Sequence, residues 1–573
     1  MRCLFVFSTD LNRNLIYTLK SKEVFLKTER LCQLLAVAVG ARCAFVATGS
    51  TSGVDGLCYL EMARAYLRHD WHTAINGYWS PLYSWLLAFG MAVTNPKPDT
   101  EVLNAQIINF SVFVLCIFAF SSCWNALSKY SFGGHKSGSS IAEIYPAGWT
   151  ICGYALFVTA AAWYIGALVP DMLVATIVFA AIAVLLRLED GNTHAVTSYA
   201  ALGALLAVGY YAKVILLYFG LLLIIGLGLQ HFRKKSYARP AVALITFLLT
   251  ISPFVFLLSK TLGRFTPGDT GRLSYAWLAD VPETKTWLTG QMNAAPLPYY
   301  PGPLMHENPM VFRLPLLPGV TYAARYDPSR YDLSNRPHFS LSPQLKRIAI
   351  NLRPFNLVVL GAEDTFLVLL VIFVLYSPRE FLRRLAGSWF YSFPVLVIIA
   401  MYVLVFVAWR YLLAFSPLLW GTALGAISVP IAWNSTVRPI VLAVLIVFGL
   451  HVGPGLAHFL TQKNDSAGQE IAVAKTLSEY DIKPGDMVGF FGDGEGAWWA
   501  HLAGVSISAE IWPANVPQFW TSSPTDQQEI LQLMINTGAK AVVWRRDSDQ
   551  SCPSQWRALR ESSGCIFVPS ITP

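Results

Sequence analysis

Residues 172–188 read Met172-Leu-Val-Ala-Thr-Ile-Val-Phe-Ala-Ala-Ile-Ala-Val-Leu-Leu-Arg-Leu188, and two further apolar blocks follow at 196–211 and 214–229. The hydrocarbon core of a bilayer is about 30 Å thick, and a helix needs about 20 consecutive apolar residues to cross it. Blocks of this kind recur at 31–50, 104–127, 147–165, 241–259, 357–376, 389–409, 411–433 and 437–460, roughly eleven in all. Clustering into blocks separates membrane spans from a large soluble core, so the chain reads as an α-helical polytopic membrane protein. Composition agrees. Hydrophobic residues make up 54% and charged residues 13%, whereas soluble domains carry about 25% charged residues. The net charge of +8 then reports orientation, because basic loops stay on the cytoplasmic face. It does not point to nucleic-acid binding.

Orientation follows from three short basic segments, 129–136, 231–239 (Arg233, Lys234, Lys235) and 377–384 (Arg379, Arg383, Arg384). They fall on one side, that of the N-terminus, only if the fourteen-residue apolar piece Pro81–Thr94 lies in the interface instead of spanning. The expected map is a cytoplasmic basic leader at 1–30 and a transmembrane domain at 31–460. Its first outward loop is 51–104 and its long outward loop 260–356. A soluble extracytoplasmic domain follows at 461–573. That last region alternates helix-like and strand-like pieces, with strands expected at 487–491, 506–511 and 541–544, and so reads as a small α/β domain. Its Gly492-Asp493-Gly494-Glu495-Gly496 run lacks the spacing of a dinucleotide fingerprint and reads as a strand-to-helix turn. Cys552 and Cys565 sit in this polar region, where an extracytoplasmic location permits a disulfide. The nine cysteines show no metal-ligand spacing, and no His/Cys cluster or HExxH indicates a metal. No cofactor is indicated; a divalent metal is not excluded.

The first outward loop carries the densest chemistry. It reads Thr51-Ser-Gly-Val-Asp55-Gly56-Leu-Cys-Tyr59-Leu-Glu61-Met-Ala-Arg64 and continues to Gly77-Tyr78-Trp79-Ser80-Pro81. A carboxylate just beyond a span stands at the water–lipid boundary, at the depth of a lipid-borne phosphate, and can take a proton from an attacking hydroxyl. The same residue could instead cap the helix that follows it. The residues alone leave both readings open.

Asp55, Val169-Pro170-Asp171-Met172 at the head of a span, Tyr211-Ala212-Lys213 between two spans and Arg410-Tyr411 at a span end occur in this order. Together they resemble the GT-C superfamily of membrane glycosyltransferases, in its protein-mannosyltransferase and aminoarabinose-transferase branch (glycosyltransferase family 39/83-like). The resemblance spans about residues 30 to 460. The stretch from Gly319-Val-Thr-Tyr322 to Tyr326-Asp327-Pro328-Ser329 is similar to uncharacterised bacterial members. The resemblance implies transfer of a sugar from a polyprenyl-phosphate donor to a glycan, lipid or protein acceptor outside the cytoplasm, in a bacterial inner membrane. Asp55 is then the catalytic general base. The family often has an acidic pair at this place, and this chain has Asp55-Gly56.

The donor phosphate needs cationic stabilisation as it departs. Arg410 with Tyr411, and Lys213, are the candidate phosphate contacts. For Arg410 and Lys213 the alternative is a side chain that snorkels from a span end. Asp171, Tyr59, Glu61, His306 and Glu307 are candidate substrate contacts. Asp171 equally suits a helix start after Pro170, and Glu61, six residues on, is not expected beside Asp55 on a helix. Glu363 and Asp364 either line a cavity or precede a span. The long loop adds a Pro/Tyr run at 298–303 and a basic set (Arg325, Arg330, Arg336, Lys346, Arg347, Arg353). Two other classes compete with the enzyme: a polyprenyl-lipid transporter or flippase, and a non-catalytic envelope scaffold. Transporters commonly carry repeated halves and broken mid-membrane helices; no such repeat is visible.

Overall fold

Helix runs through each of the apolar blocks. The computed structural model describes residues 2–51, 53–130, 139–189, 195–232, 237–279, 302–331, 339–360, 364–429, 433–462, 465–545, 551–559 and 564–569. Side chains are described from residue 23 onward, except at 277, 353–360, 364 and 434. The basic residues Arg233, Lys234 and Lys235, most of the 129–136 segment, residues 298–301, Arg336, Glu363 and the side chains of Arg353 and Asp364 lie outside what is described.

Six described helices have membrane-crossing length and hydropathy. They are Glu23–Ala47, Pro98–Lys129, Asp171–Glu189, Ile215–Phe232, Ala238–Leu262 and the apolar helix Asn434–Thr461. Thr365–Tyr376 and Pro378–Gly387 reach that length and hydropathy only together, as a pair bent by 112°. Pro146–Ala162, Val196–Ala212 and Trp389–Val405 are apolar but shorter, as is Pro81–Thr94. The block at 411–433 differs most from expectation. Only Phe415–Ala426 is helical there, twelve residues, or about 18 Å at 1.5 Å per residue. Its N-terminal side is a 3₁₀ turn, Trp409–Leu412, and its C-terminal side turns extended so that Val429 bridges Ser139. The basic leader is helical too, continuous with the first span in Arg2–Ala47.

Aromatic rings fill the space between helices. Phe120 stacks on Phe157 at 4.5 Å and Trp124 on Trp149 at 4.6 Å. By contrast Leu249, Phe256 and Leu450 point outward, exposed, as a lipid-facing surface requires.

The C-terminal region joins strands from the long loop in a seven-stranded sheet, ordered β1-β2-β4-β3-β5-β7-β6. The strands are β1 (Leu304–Glu307), β2 (Met310–Arg313), β3 (Met487–Phe491), β4 (Ser506–Ile511), β5 (Ala539–Arg545), β6 (Arg557–Ala558) and β7 (Gly564–Phe567). Parallel β4-β3-β5 forms its centre, and Cys552 is joined to Cys565 of β7 by a disulfide. The β1-β2 edge comes from the long loop, with β2 antiparallel to β4. After β2 the loop stays attached to the sheet, Leu314 N–H donating to the Ser508 carbonyl and Ile507 N–H to that of Thr321. It then descends into a short helix, Ala323–Tyr326, against the first loop.

Candidate active site

Two loops, distant in sequence, are locked together before any charge is placed. Asp327, fully buried, accepts from Gly77 N–H (3.2 Å), from Ser329 Oγ and from Arg330 Nε (2.9 Å). Asn76 Nδ2 donates to the Tyr326 carbonyl at 2.6 Å. A Cβ on residue 77 would lie 2.2 Å from Ser329 Oγ, so glycine is required for this approach. The Tyr326-Asp327-Pro328-Ser329-Arg330 segment therefore fixes the long loop over the helix Val54–Leu67, and Arg325 comes with it.

Asp55 lies in the first turn of that helix, whose N-cap residue Gly53 makes no side-chain capping hydrogen bond. The Asp55 carboxylate binds two guanidiniums: Arg325 Nη2 donates to Oδ1 at 2.9 Å and Arg410 Nη2 to Oδ2 at 2.6 Å. Burial alone would raise this carboxyl; Arg325 and Arg410 outweigh it and hold it below the usual carboxylate range. Arg410 belongs to the Trp409–Leu412 turn, not to a span end, and its Nε also faces Asp171 Oδ2 at 3.6 Å. Asp171, the first residue of Asp171–Glu189, accepts from Lys213 Nζ at 2.7 Å. Lys213 follows Val196–Ala212 in extended conformation. Its ammonium sits 3.9 Å from the Tyr411 ring centre, the Arg410 guanidinium 5.4 Å from it. Tyr411 in turn stacks on Tyr402. Neither cation snorkels.

Five of the residues read from the sequence thus converge: Asp55, Asp171, Lys213, Arg410 and Tyr411. Tyr59, one turn beyond Asp55, is buried edge-on against Trp79 and Tyr83 and packs the floor. Glu61 points elsewhere, accepting from Thr321 N–H at 2.9 Å and facing His501 Nδ1 at 3.3 Å. His306 and Glu307 sit on β1, at the edge of the sheet, where His306 Nδ1 is 2.9 Å from the Pro309 carbonyl. The described structure gives them no contact with Asp55.

Sequence reasoning missed Arg325, which it held only as one of a basic set, and Glu495. The one available signal for Arg325 was its place inside the singled-out 319–329 stretch. Among the described residues no set of three or more His, Cys, Asp or Glu side chains is arranged to hold a metal ion.

These features define an integral membrane protein with a cation-rich centre where helix ends meet two long loops. The fold is of the GT-C type. ArnT from Cupriavidus metallidurans, solved bound to undecaprenyl phosphate, superposes with a TM-score of 0.53 and 12% identity, covering 93% of this chain and 97% of that one. The apo form of the same protein gives 0.51 and 12%, with the same coverage. An oligosaccharyltransferase from Archaeoglobus fulgidus, tethered to an acceptor peptide, aligns at 0.42 and 10%, over 90% of this chain and 68% of that one. No protein-family model and no curated protein matches the sequence.

Proposed function

We propose that the protein is a glycosyltransferase that moves a sugar from a polyprenyl-phosphate donor to a hydroxyl on the outer face of the membrane. The observation that carries this reading is the charge count at Asp55. Three cations (Arg325, Arg410, Lys213) serve two carboxylates, Asp55 and Asp171. The surplus positive charge suits an anion, and the ArnT structure of like fold holds a polyprenyl phosphate. The site would face outward in a bacterial inner membrane, with the N-terminus cytoplasmic and the soluble domain outside.

In the reaction, the acceptor oxygen forms a bond to the anomeric carbon as that carbon's bond to the phosphate oxygen breaks. The electron pair leaves with the phosphate, and the acceptor proton goes to Asp55. Arg410 and Lys213 stabilise the departing phosphate. Asp55 bound to two guanidiniums is a weak base. A donor phosphate that draws Arg410 away would leave Asp55 one guanidinium and raise its basicity, so that the base is released only when the donor is present.

The test is release of labelled sugar from a panel of polyprenyl-phosphate sugars by the purified protein, with Asp55→Asn alongside. Turnover or slow hydrolysis by the wild type, lost in the variant, is the expected result. Full turnover by Asp55→Asn would remove Asp55 as base. Lipid binding without sugar release across the panel would sink the enzyme.

A further inference from the structure

The run Gly492–Gly496 is a strand-to-helix turn, as its sequence suggests, but it does not end in solvent. It leaves β3, tightens into the 3₁₀ turn Gly494–Gly496 with Asp493 Oδ1 accepting from Glu495 N–H at 3.0 Å, and packs on Val54–Leu67, the helix of Asp55. The turn is braced from behind by Glu510 of β4, which is fully buried. Tyr322 Oη and Trp512 Nε1 each donate to Glu510 Oε1 at 2.7 Å. A Cβ at 494 would stand 2.6 Å from the Tyr322 ring and 2.8 Å from Glu510 Oε2. The position of Glu495 is therefore built, not incidental.

Glu495 is only 8% exposed, and its Oε1 has no partner. Arg325, 9% exposed, spends Nη2 on Asp55 and leaves Nε and Nη1 without partners. Its guanidinium lies 5.4 Å from the ring centre of Trp79, whose buried Nε1 is also unpartnered. The Arg325 and Glu495 charges act on each other, yet among the described residues no hydrogen bond or ion pair joins them. Buried polar groups are normally satisfied. Donors and an acceptor left open in one place suit a group that both donates and accepts, which is what a hydroxyl does.

We propose that the soluble domain completes the active site through Glu495, which with Arg325 and Trp79 binds hydroxyls of the sugar being transferred. This rests on the glycosyltransferase reading and names the part of the site that would select the sugar. Burial pushes the Glu495 carboxyl up to about 8, against Arg325 and with the help of Asp493 and Asp55. Near neutral pH it is protonated and can donate as well as accept.

Infrared difference spectra of the purified full-length protein test this, with Glu495→Gln used to assign the protonated-carboxyl band apart from that of Glu510. The assigned band is expected to shift when a sugar-bearing polyprenyl phosphate binds and to stay put with polyprenyl phosphate lacking a sugar. Kinetically, Glu495→Gln should raise KM for the sugar lipid about tenfold or more with an unchanged melting temperature, and Glu495→Asp should restore part of the loss. A band that ignores a donor the wild type hydrolyses, or that responds equally to the bare phosphate, overturns the proposal. If the wild type hydrolyses no donor, the glycosyltransferase reading itself fails, and this inference fails with it.

Discussion

One helix, Val54–Leu67, carries two charged networks of opposite character. Towards its C-terminal end, Glu61 and Arg64 meet Glu101 and His501. There Arg64 Nη2 donates to Glu101 Oε2 at 2.6 Å and Nη1 to the His501 carbonyl at 3.3 Å. His501 presents Nδ1 to Glu61 at 3.3 Å and Nε2 to Glu101 at 3.1 Å. Both partners are carboxylates, which only accept, so the ring is an imidazolium. Two cations balance two anions, and none of the four side chains has an unpartnered buried atom. At the first turn, Asp55 and Asp171 face three cations, while Asp171 Oδ2 and two Arg325 nitrogens make no hydrogen bond. Residue types are nearly the same in both places. The difference lies in saturation: the network at Glu61 and Arg64 is closed and joins the helix Val54–Leu67 to the C-terminal sheet region through His501, whereas the one at Asp55 is left open.

The largest expected effect is in the open network. Asp55→Asn should lower turnover by roughly 10²–10⁴-fold, the usual worth of a positioned base, while the protein still melts cooperatively. His501→Ala should do the reverse. It leaves buried Glu61 without its cationic partner and Glu101 with Arg64 alone, at a cost of about 3–5 kcal/mol, read as a lower melting temperature and faster proteolysis between the domains, with turnover per folded molecule largely kept. The same network has a pH signature. Burial and Arg64 push His501 down, but Glu101 and Glu61 outweigh them and its pKa is raised. Its stabilisation is thus fully present below about pH 6.5, the unfolded value, and is lost as pH rises through the folded value. His501→Gln should flatten that fall in melting temperature. Arg410→Gln is expected to cost roughly 10²–10³-fold in turnover and to weaken retention of polyprenyl phosphate in a binding assay. Smallest of all, His306→Ala and Glu307→Gln should change turnover and stability by no more than about 0.5 kcal/mol equivalent. An Asp55 variant that unfolds the protein, or a His501 variant that abolishes chemistry without loosening it, would erase the distinction between the two networks.

How much of this was legible depends on range. Strands 487–491 and 506–511 fold with the expected ends, because short apolar runs between turn residues carry their own signal. So does the helix start at Asp171. The edge strands β1 and β2 were not legible, since four residues from a loop become strand only by pairing with β4, about two hundred positions away. Arg325 looked like one basic residue among six, and Asp55 like a cap as much as a base. His306 and Glu307, adjacent and chemically apt, ended at a sheet edge.

By itself the sequence determined the membrane class of the protein, its helical blocks, the α/β character of its last hundred or so residues, and four polar groups, at Asp55, Asp171, Lys213 and Arg410, set apart from apolar surroundings. These follow from length and hydropathy, which are local sums. Only the tertiary structure decided which charges meet: that Asp55 spends its oxygens on Arg325 and Arg410, that Glu61 turns to His501, and that Glu495 reaches the helix of Asp55. An ion pair is set by a distance of a few ångströms between residues hundreds of positions apart, and no local property of the chain encodes that distance.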